Sequence, residues 1–415
     1  MGKRVVVVVM VVIAALAAAG GRAEAAGGLG RTGTATIADE VGNYTPAVAS
    51  DGAETLVVWE KRHGQNGVGD IYGRLTATDA SESHIDTVRI SLRAADEYLP
   101  DVAWNGSSFL VVWETGLASG HQEIHGRRVS KDGALLGSEL AIAKATSTAD
   151  RREPAVAAGP NGQFLVAWED TRNEDTTGDD IYARRITSTG GLLDGTNLRV
   201  SFDSNAAPVL VQQEGVPDVA WNGHLYMVVY EAFNEVQQAG SILAAAFTSA
   251  GERVYENNPG PGGLGGTDNF TAHEPSITSG GGKFLLVYSY EDPAGGGRNI
   301  YASRFDENDS QPQPFFVSKA SGDQTFPTVA FNGRFVAAWV DRRNGKAEIW
   351  GSRIGSDGTV QDPGGFLITN DFTQNGSPDL TKGSSKSETF TLAWEVNPDT
   401  ETTGIQALGL APSPK

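Results

Sequence analysis

At five places in this chain of 415 residues a glutamate directly follows the aromatic that ends a five-residue, largely apolar run: Trp59-Glu60, Trp113-Glu114, Trp168-Glu169, Tyr230-Glu231 and Trp394-Glu395. Carboxylates repeated in this way can hold cations or sugar hydroxyls, or they can serve the fold by accepting backbone N–H groups and arginine. Arginine stands near carboxylate as Arg62 after Glu60, in Asp170-Thr171-Arg172 and in Asp341-Arg342-Arg343. Such a pair can clamp an acidic sugar or a peptide carboxylate with two parallel hydrogen bonds, or form a solvated salt bridge of little weight. Histidine titrates near neutrality and is the natural general acid or base. Of six histidines, His63, His121 and His273 fall in polar segments, and no motif ties any of them to a nucleophile or a second acid. His121 and His125 are four apart, a spacing that makes a zinc pair only on a helix. The residue types therefore imply no cofactor. Calcium is the one ion whose ligand chemistry is echoed, in the oxygen-rich runs 173–180 and 306–309, neither of which follows a twelve-residue loop pattern.

These residues recur because the chain recurs. The stretch 154–186, PAVAAGPNGQFLVAWEDTRNEDTTGDDIYARRI, returns in recognisable form seven times, each copy opened by a proline: Pro46, Pro100, Pro154, Pro217, Pro275, Pro327 and Pro378. A period of about 50 residues is the signature of a repeat architecture. After the proline comes a short run of small residues, as in PAVAS and PDVAW, then an Asn-Gly or Gly-rich turn suited to a tight hairpin. A second run is apolar throughout and ends in an aromatic, as in TLVVW, FLVVW and FVAAW. A strand apolar on both faces must be covered on both. A third run mixes aromatic, glycine and arginine (DIYGR, DIYARR, EIWGSR), and a fourth follows a turn (VRIS, LAIA, FLIT), with a poor match near Arg253 in unit four. Trp104, Trp221 and Phe331 end the first run in alternate units, as stacking platforms for sugar rings or as plugs between repeats.

Four strands per unit and seven units predict an all-β, seven-bladed β-propeller of four-stranded blades. The seventh unit lacks a fourth strand before the chain reaches APSPK, and TATIA, residues 34–38, precedes DEVGNYTP as VRIS precedes LRAADEYLP. The N-terminal segment is therefore expected to complete the last blade and close the ring, which removes exposed sheet edges.

Residues 1–25 have the basic start, apolar middle and small-residue cleavage site of a secretory signal. Residues 26–45 then form the segment with the closing strand, and 46–415 the propeller. The expected location is extracellular, periplasmic or on the cell surface. Removal of the leader takes the formal charge from -19 to -21, which argues against nucleic acid as a partner. With no cysteine the exported protein has no disulfides and must rely on its core. No second long apolar run predicts a membrane span, and a monomer is expected.

The PxVA, FLVVWED and DIYxxR repeats resemble those of secreted bacterial β-propeller proteins, many of uncharacterised function. The resemblance covers nearly all of the chain after the leader, whereas the integrin-type DxNxDGxxD pattern and a complete sialidase box are absent. It implies that loops entering the first strand and joining the second to the third share the ligand face. On that face the candidates are Glu60, Arg62, His63, Glu114, His121, Glu169, Asp170, Arg172, Glu231, His273, Asp341, Arg342 and Glu395. Because repeated residues serve the blade and no catalytic group stands out, the expected function is a non-enzymatic module holding a glycan or protein through these loops. Two alternatives stand beside it: a polysaccharide lyase or glycoside hydrolase with its site in the loops, and a structural envelope protein.

Overall fold

The computed structural model describes residues 29–412 apart from 39–41, 64–66, 82–85, 147, 175, 202–211, 235–238, 258–270, 292–295, 310–311, 370–374, 385–386 and 398–402. The leader lies outside them. Seven antiparallel sheets of four strands follow one another around a ring. Blade two is typical, with strands Asp96–Trp104, Ser108–Gly116, Gln122–Ser130 and Leu135–Ala143 running from axis to rim. Unit four has its fourth strand too, at Arg253–Asn257. No helix among the described residues is long and apolar enough to cross a membrane.

The second strands hold the ring together. Phe109, Val111 and Trp113 pack against blade one, while Leu110 and Val112, pointing the other way, pack against blade three. The terminal aromatic always faces the preceding blade: Trp168 meets blade two, Tyr230 blade three, Trp339 blade five and Trp394 blade six. Burial of one such side chain contributes about 1.5–3 kcal/mol. Arginines of the third strand add hydrogen bonds between blades. Arg74 donates to Ile37 O (3.1 Å), Arg127 to Ile90 O (3.4 Å) and Arg184 to Ile142 O (2.7 Å), each on the outer part of the blade before. The glycine of that strand makes room: a Cβ on Gly73 or Gly126 would lie 2.7 or 2.8 Å from an isoleucine methyl of the fourth strand's end.

The ring closes as expected. Leu29–Ala38 pairs antiparallel with Gly404–Pro412, Thr34 opposite Leu408 and Ala38 opposite Ile405, and supplies the outer strand of the seventh blade. It is ten residues long, where the sequence marked only five.

The innermost strands carry a feature that the repeat pattern conceals. Asp101, Asp218 and Asp379 follow the proline in blades two, four and seven. Each accepts its own next amide, from Val102, Val219 or Leu380 at 2.7–2.8 Å, and an amide of the next blade, from Val156 (2.6 Å), Ile277 (2.7 Å) or Val48 (2.7 Å). Although they sit on non-adjacent blades, their charges act on one another, so they converge on the axis. Burial first, and that mutual repulsion, push Asp101 well above the ordinary carboxylate range. Burial likewise takes Asp218 to about 7 and Asp379 to about 6.

Candidate active site

At the mouth of the axial channel, the residue before the proline adopts a left-handed backbone in each of blades one to six: Thr45, Leu99, Glu153, Val216, Glu274 and Phe326, with φ between 46° and 55°. A bulky non-glycine residue does not take this conformation without a compensating contact. The contact is a carboxylate of the preceding blade. Thr45 N donates to Glu395 (2.5 Å), Leu99 N to Glu60, Glu153 N to Glu114 (3.1 Å) and Glu274 N to Glu231 (2.6 Å). Two exchanges complete the set: Val216 N donates to Glu153 (2.9 Å) and Phe326 N to Glu274 (2.7 Å). Four of the five repeated glutamates thus staple one blade to the next through a backbone N–H.

Glu169 is the glutamate released from this duty, because Glu153 takes its place on Val216 N. It lies opposite Arg152 in the first hairpin of blade three. Arg152 forks between two carboxylates, Nη1 at 3.4 Å from Glu169 and Nη2 at 2.8 Å from Asp150. Asp150 also receives the Gln122 amide (3.1 Å) and faces His121 Nδ1 at 2.9 Å. Burial pushes Glu169 up to about 8, and the neighbouring Glu153 and Asp179 charges add to it. Burial alone works to raise Asp150 as well. The hydrogen bonds from His121, Gln122 N and Arg152 outweigh it and hold Asp150 below the ordinary carboxylate range. Glu114, hydrogen-bonded to Tyr98 and to the Glu153 amide, is taken to about 7 by burial. Near neutral pH the site therefore holds a protonated Glu169 beside an ionised Asp150, the polarity an acid–base pair requires.

The other sequence candidates divide by partner. Asp170 is fully buried, accepts Trp168 Nε1 (3.1 Å) and is gripped by Arg172, whose guanidinium stacks on Tyr182 at 3.9 Å. Asp341 repeats the arrangement with Trp339 and Arg343, which lies over Trp350 at 3.8 Å. Arg342 is exposed beside it and gives its amide to Asp323 O. Both groups tie the second strand of a blade to its third. Arg62 bonds Glu60 and lies over Tyr44, and His63 contacts Asp70 (2.9 Å) at the edge of Tyr72. His273 lies 3.5 Å from Glu231, whose hydrogen bond raises it above its ordinary value. Trp104, Trp221 and Phe331 pack on the first aromatic of their own second strands, at 4.6–4.7 Å, on the opposite face. Of the oxygen-rich runs, Asp306 and Asp309 share Lys283 (2.9 Å each), and Asp180 pairs with Arg199.

Arg152 escaped the sequence reading because it lies before the proline, where the copies vary, and Asp150 because no motif sets it apart from Asp96 and Asp323, which hold the same position and likewise accept the amide that opens the preceding blade's third strand. The only signal was a departure: Arg152 stands where other blades have tyrosine, glycine, histidine or threonine.

No protein-family model and no curated protein matches the chain. Solved structures do match in fold. A protein of unknown function from Dyadobacter fermentans superposes with a TM-score of 0.55 at 10% identity, over 93% of this chain and 99% of that one. An α-L-arabinofuranosidase of Fusarium graminearum, in complex with an iminosugar inhibitor, gives 0.52 at 12% identity, over 92% and 98%. An α-L-arabinanase of Penicillium chrysogenum, complexed with arabinobiose, gives 0.51 at 10%, over 92% and 98%. These likenesses are of fold. They correct the expectation of a non-enzymatic binding module, since two of these three rings matched end to end are carbohydrate-cleaving enzymes. The physical reason the sequence misled is that protonation is set by burial and by contacts between blades, which no motif displays.

Proposed function

We propose that the protein is a glycoside hydrolase acting on a neutral glycan, with Glu169 as general acid and Asp150 as the ionised partner that serves as base or nucleophile. The observation that carries this reading is the shared guanidinium of Arg152, with Glu169 displaced upward in pKa on one side and Asp150 downward on the other. Contacts of 3.4 and 2.8 Å to the two nitrogens of one guanidinium hold the carboxylates no farther apart than the pairs that cleave glycosidic bonds, which stand roughly 5–9.5 Å from each other. Arg152 positions both groups, and His121 orients Asp150 from the far side. The arabinose-directed enzymes of similar fold make arabinan the first substrate to test. The secretory-type leader supports export, so that the enzyme meets its glycan outside the cytoplasm.

The test is release of reducing sugar by the purified mature protein from arabinan, arabinoxylan, xylan, β-glucan and mannan. Activity on at least one is expected, and Glu169→Gln or Asp150→Asn should each lower it by about 10²–10⁴-fold. Product anomer by NMR then decides between base and nucleophile. Inertness toward every polymer, or full activity in both variants, overturns the assignment.

A further inference from the structure

Resting on the hydrolase reading, we infer that Val216 and Phe326, beside the acid seated against Gly215, form the sugar-binding floor of the site, fitted to a neutral oligosaccharide. Gly215 is the counterpart of Tyr44, Tyr98, Arg152, His273 and Thr325, two residues before the blade's proline. Its backbone is not left-handed, so the glycine is there for space. A Cβ at this position would stand 2.8 Å from Glu169 Oε2 and 3.6 Å from Glu153 Oε2. The missing side chain is what lets the Glu169 carboxylate lie against this strand of blade four.

Val216, the next residue, is 39% exposed at φ 49°, and Phe326, in the same slot two blades on, is 46% exposed at φ 52°. The staples from Glu153 and Glu274 grip only their amides. Glycine would accept those bonds with less strain and expose no apolar surface. The side chains are not used by the staples and leave much of their apolar bulk exposed to solvent. Between them the carboxylates run in series, Glu169 beside Glu153, Glu153 felt by Glu231, and Glu231 bonded to the Glu274 amide. The cations here are each paired with a carboxylate, Arg152 with Asp150, Arg298 with Glu274 at 3.2 Å and His273 with Glu231, and the carboxylates outnumber them, so an anionic sugar is disfavoured. A neutral one offers its C–H face to Phe326 and Val216 and its hydroxyls to the carboxylates.

The experiment is calorimetric titration of the Glu169→Gln protein, whose slowed turnover lets binding be read, with arabinohexaose, xylohexaose, cellohexaose and mannohexaose, and with trigalacturonate as the anionic probe. At least one neutral hexaose should bind saturably and trigalacturonate should not. Adding Phe326→Ala should weaken binding about tenfold or more, and Phe326→Trp should preserve it, with unchanged melting temperatures showing that both variants fold. In the active protein, Gly215→Ala should reduce turnover by displacing the Glu169 carboxylate. Affinity unchanged in Phe326→Ala, preference for trigalacturonate, or no binding by any neutral hexaose overturns the floor. Hydrolysis with Phe326 irrelevant sinks the floor alone. Phe326-dependent binding without hydrolysis by the unsubstituted protein sinks the hydrolase and leaves the floor.

Discussion

Glu169 and Asp150 carry the same functional group and differ only in what surrounds it. The first lost its backbone donor to Glu153, so that burial dominates. The second kept three donors, and they win over burial. This contrast makes the pH profile of kcat/KM a direct assay of the assignment. Turnover needs Asp150 ionised, so the acid limb should fall below the ordinary carboxylate range. It needs Glu169 protonated, so the alkaline limb should fall near pH 8. Glutamine at 169 cannot lose a proton, and the residual activity of Glu169→Gln should therefore continue flat across pH 8. An alkaline limb that survives this substitution would transfer the acid role to another group, Glu114 being the next in height at about 7.

At the scale of the element, the unit of construction is the glutamate that ends one blade's second strand and holds the left-handed pre-proline amide of the next. Glu395 and Thr45 form this staple across the seam between blades seven and one, where Glu395 is buried. Glu395→Ala removes the acceptor and leaves a strained N–H unsatisfied, which should cost about 1–3 kcal/mol in urea unfolding; Glu395→Gln, which keeps the carbonyl, should cost less. An alanine variant as stable as the wild type would show that the seam does not depend on the staple. The repeated glutamates were legible in the sequence because repetition marks structural duty, and the blades were legible through the doubly apolar second strand. The staple was not, since its donor is a backbone amide of another blade and nothing in Leu99, Val216 or Phe326 announces a positive φ. The proposed acid–base pair was hidden for a related reason. Arg152 and Gly215 lie where repeats differ, so comparison between copies discards them, Asp150 shares its position with Asp96 and Asp323, and the absence of a side chain at Gly215 has meaning only once Glu169 is seen beside it.

At the scale of the molecule, the ring is held by closure and strained by its own acidity. Closure rests on Leu29–Ala38, whose Ile37 is buried in the core shared by blades seven and one. Deleting residues 27–40 should lower the melting temperature by several degrees, and an unchanged melt would mean that the ring closes without this strand. Acidity acts through the axis. Asp101, Asp218 and Asp379, together with Glu97, Glu114 and Glu169, all have folded pKa values raised above those of the unfolded chain, chiefly by burial. Between about pH 4 and 8 the folded state consequently binds more protons than the unfolded one, and stability must decrease as pH rises through that window. Above it Asp218, Asp379, Glu97, Glu114 and Glu169 are ionised in both states, and their part of the dependence levels off. The groups held low, Asp150 and Asp306 among them, act in the opposite sense and only below the ordinary carboxylate range, so they do not mask the effect. Thermal unfolding from pH 4.5 to 9 should thus give the highest melting temperature near pH 5 and a fall of several degrees by pH 8. Replacing Asp218 by serine, which keeps a hydroxyl toward the Val219 and Ile277 amides but carries no charge, should flatten the slope between pH 5 and 7 while lowering the maximum. A melting temperature that rises from pH 5 to 8 would show that the axial carboxylates are ionised throughout, and that water in the channel rather than protonation relieves their repulsion.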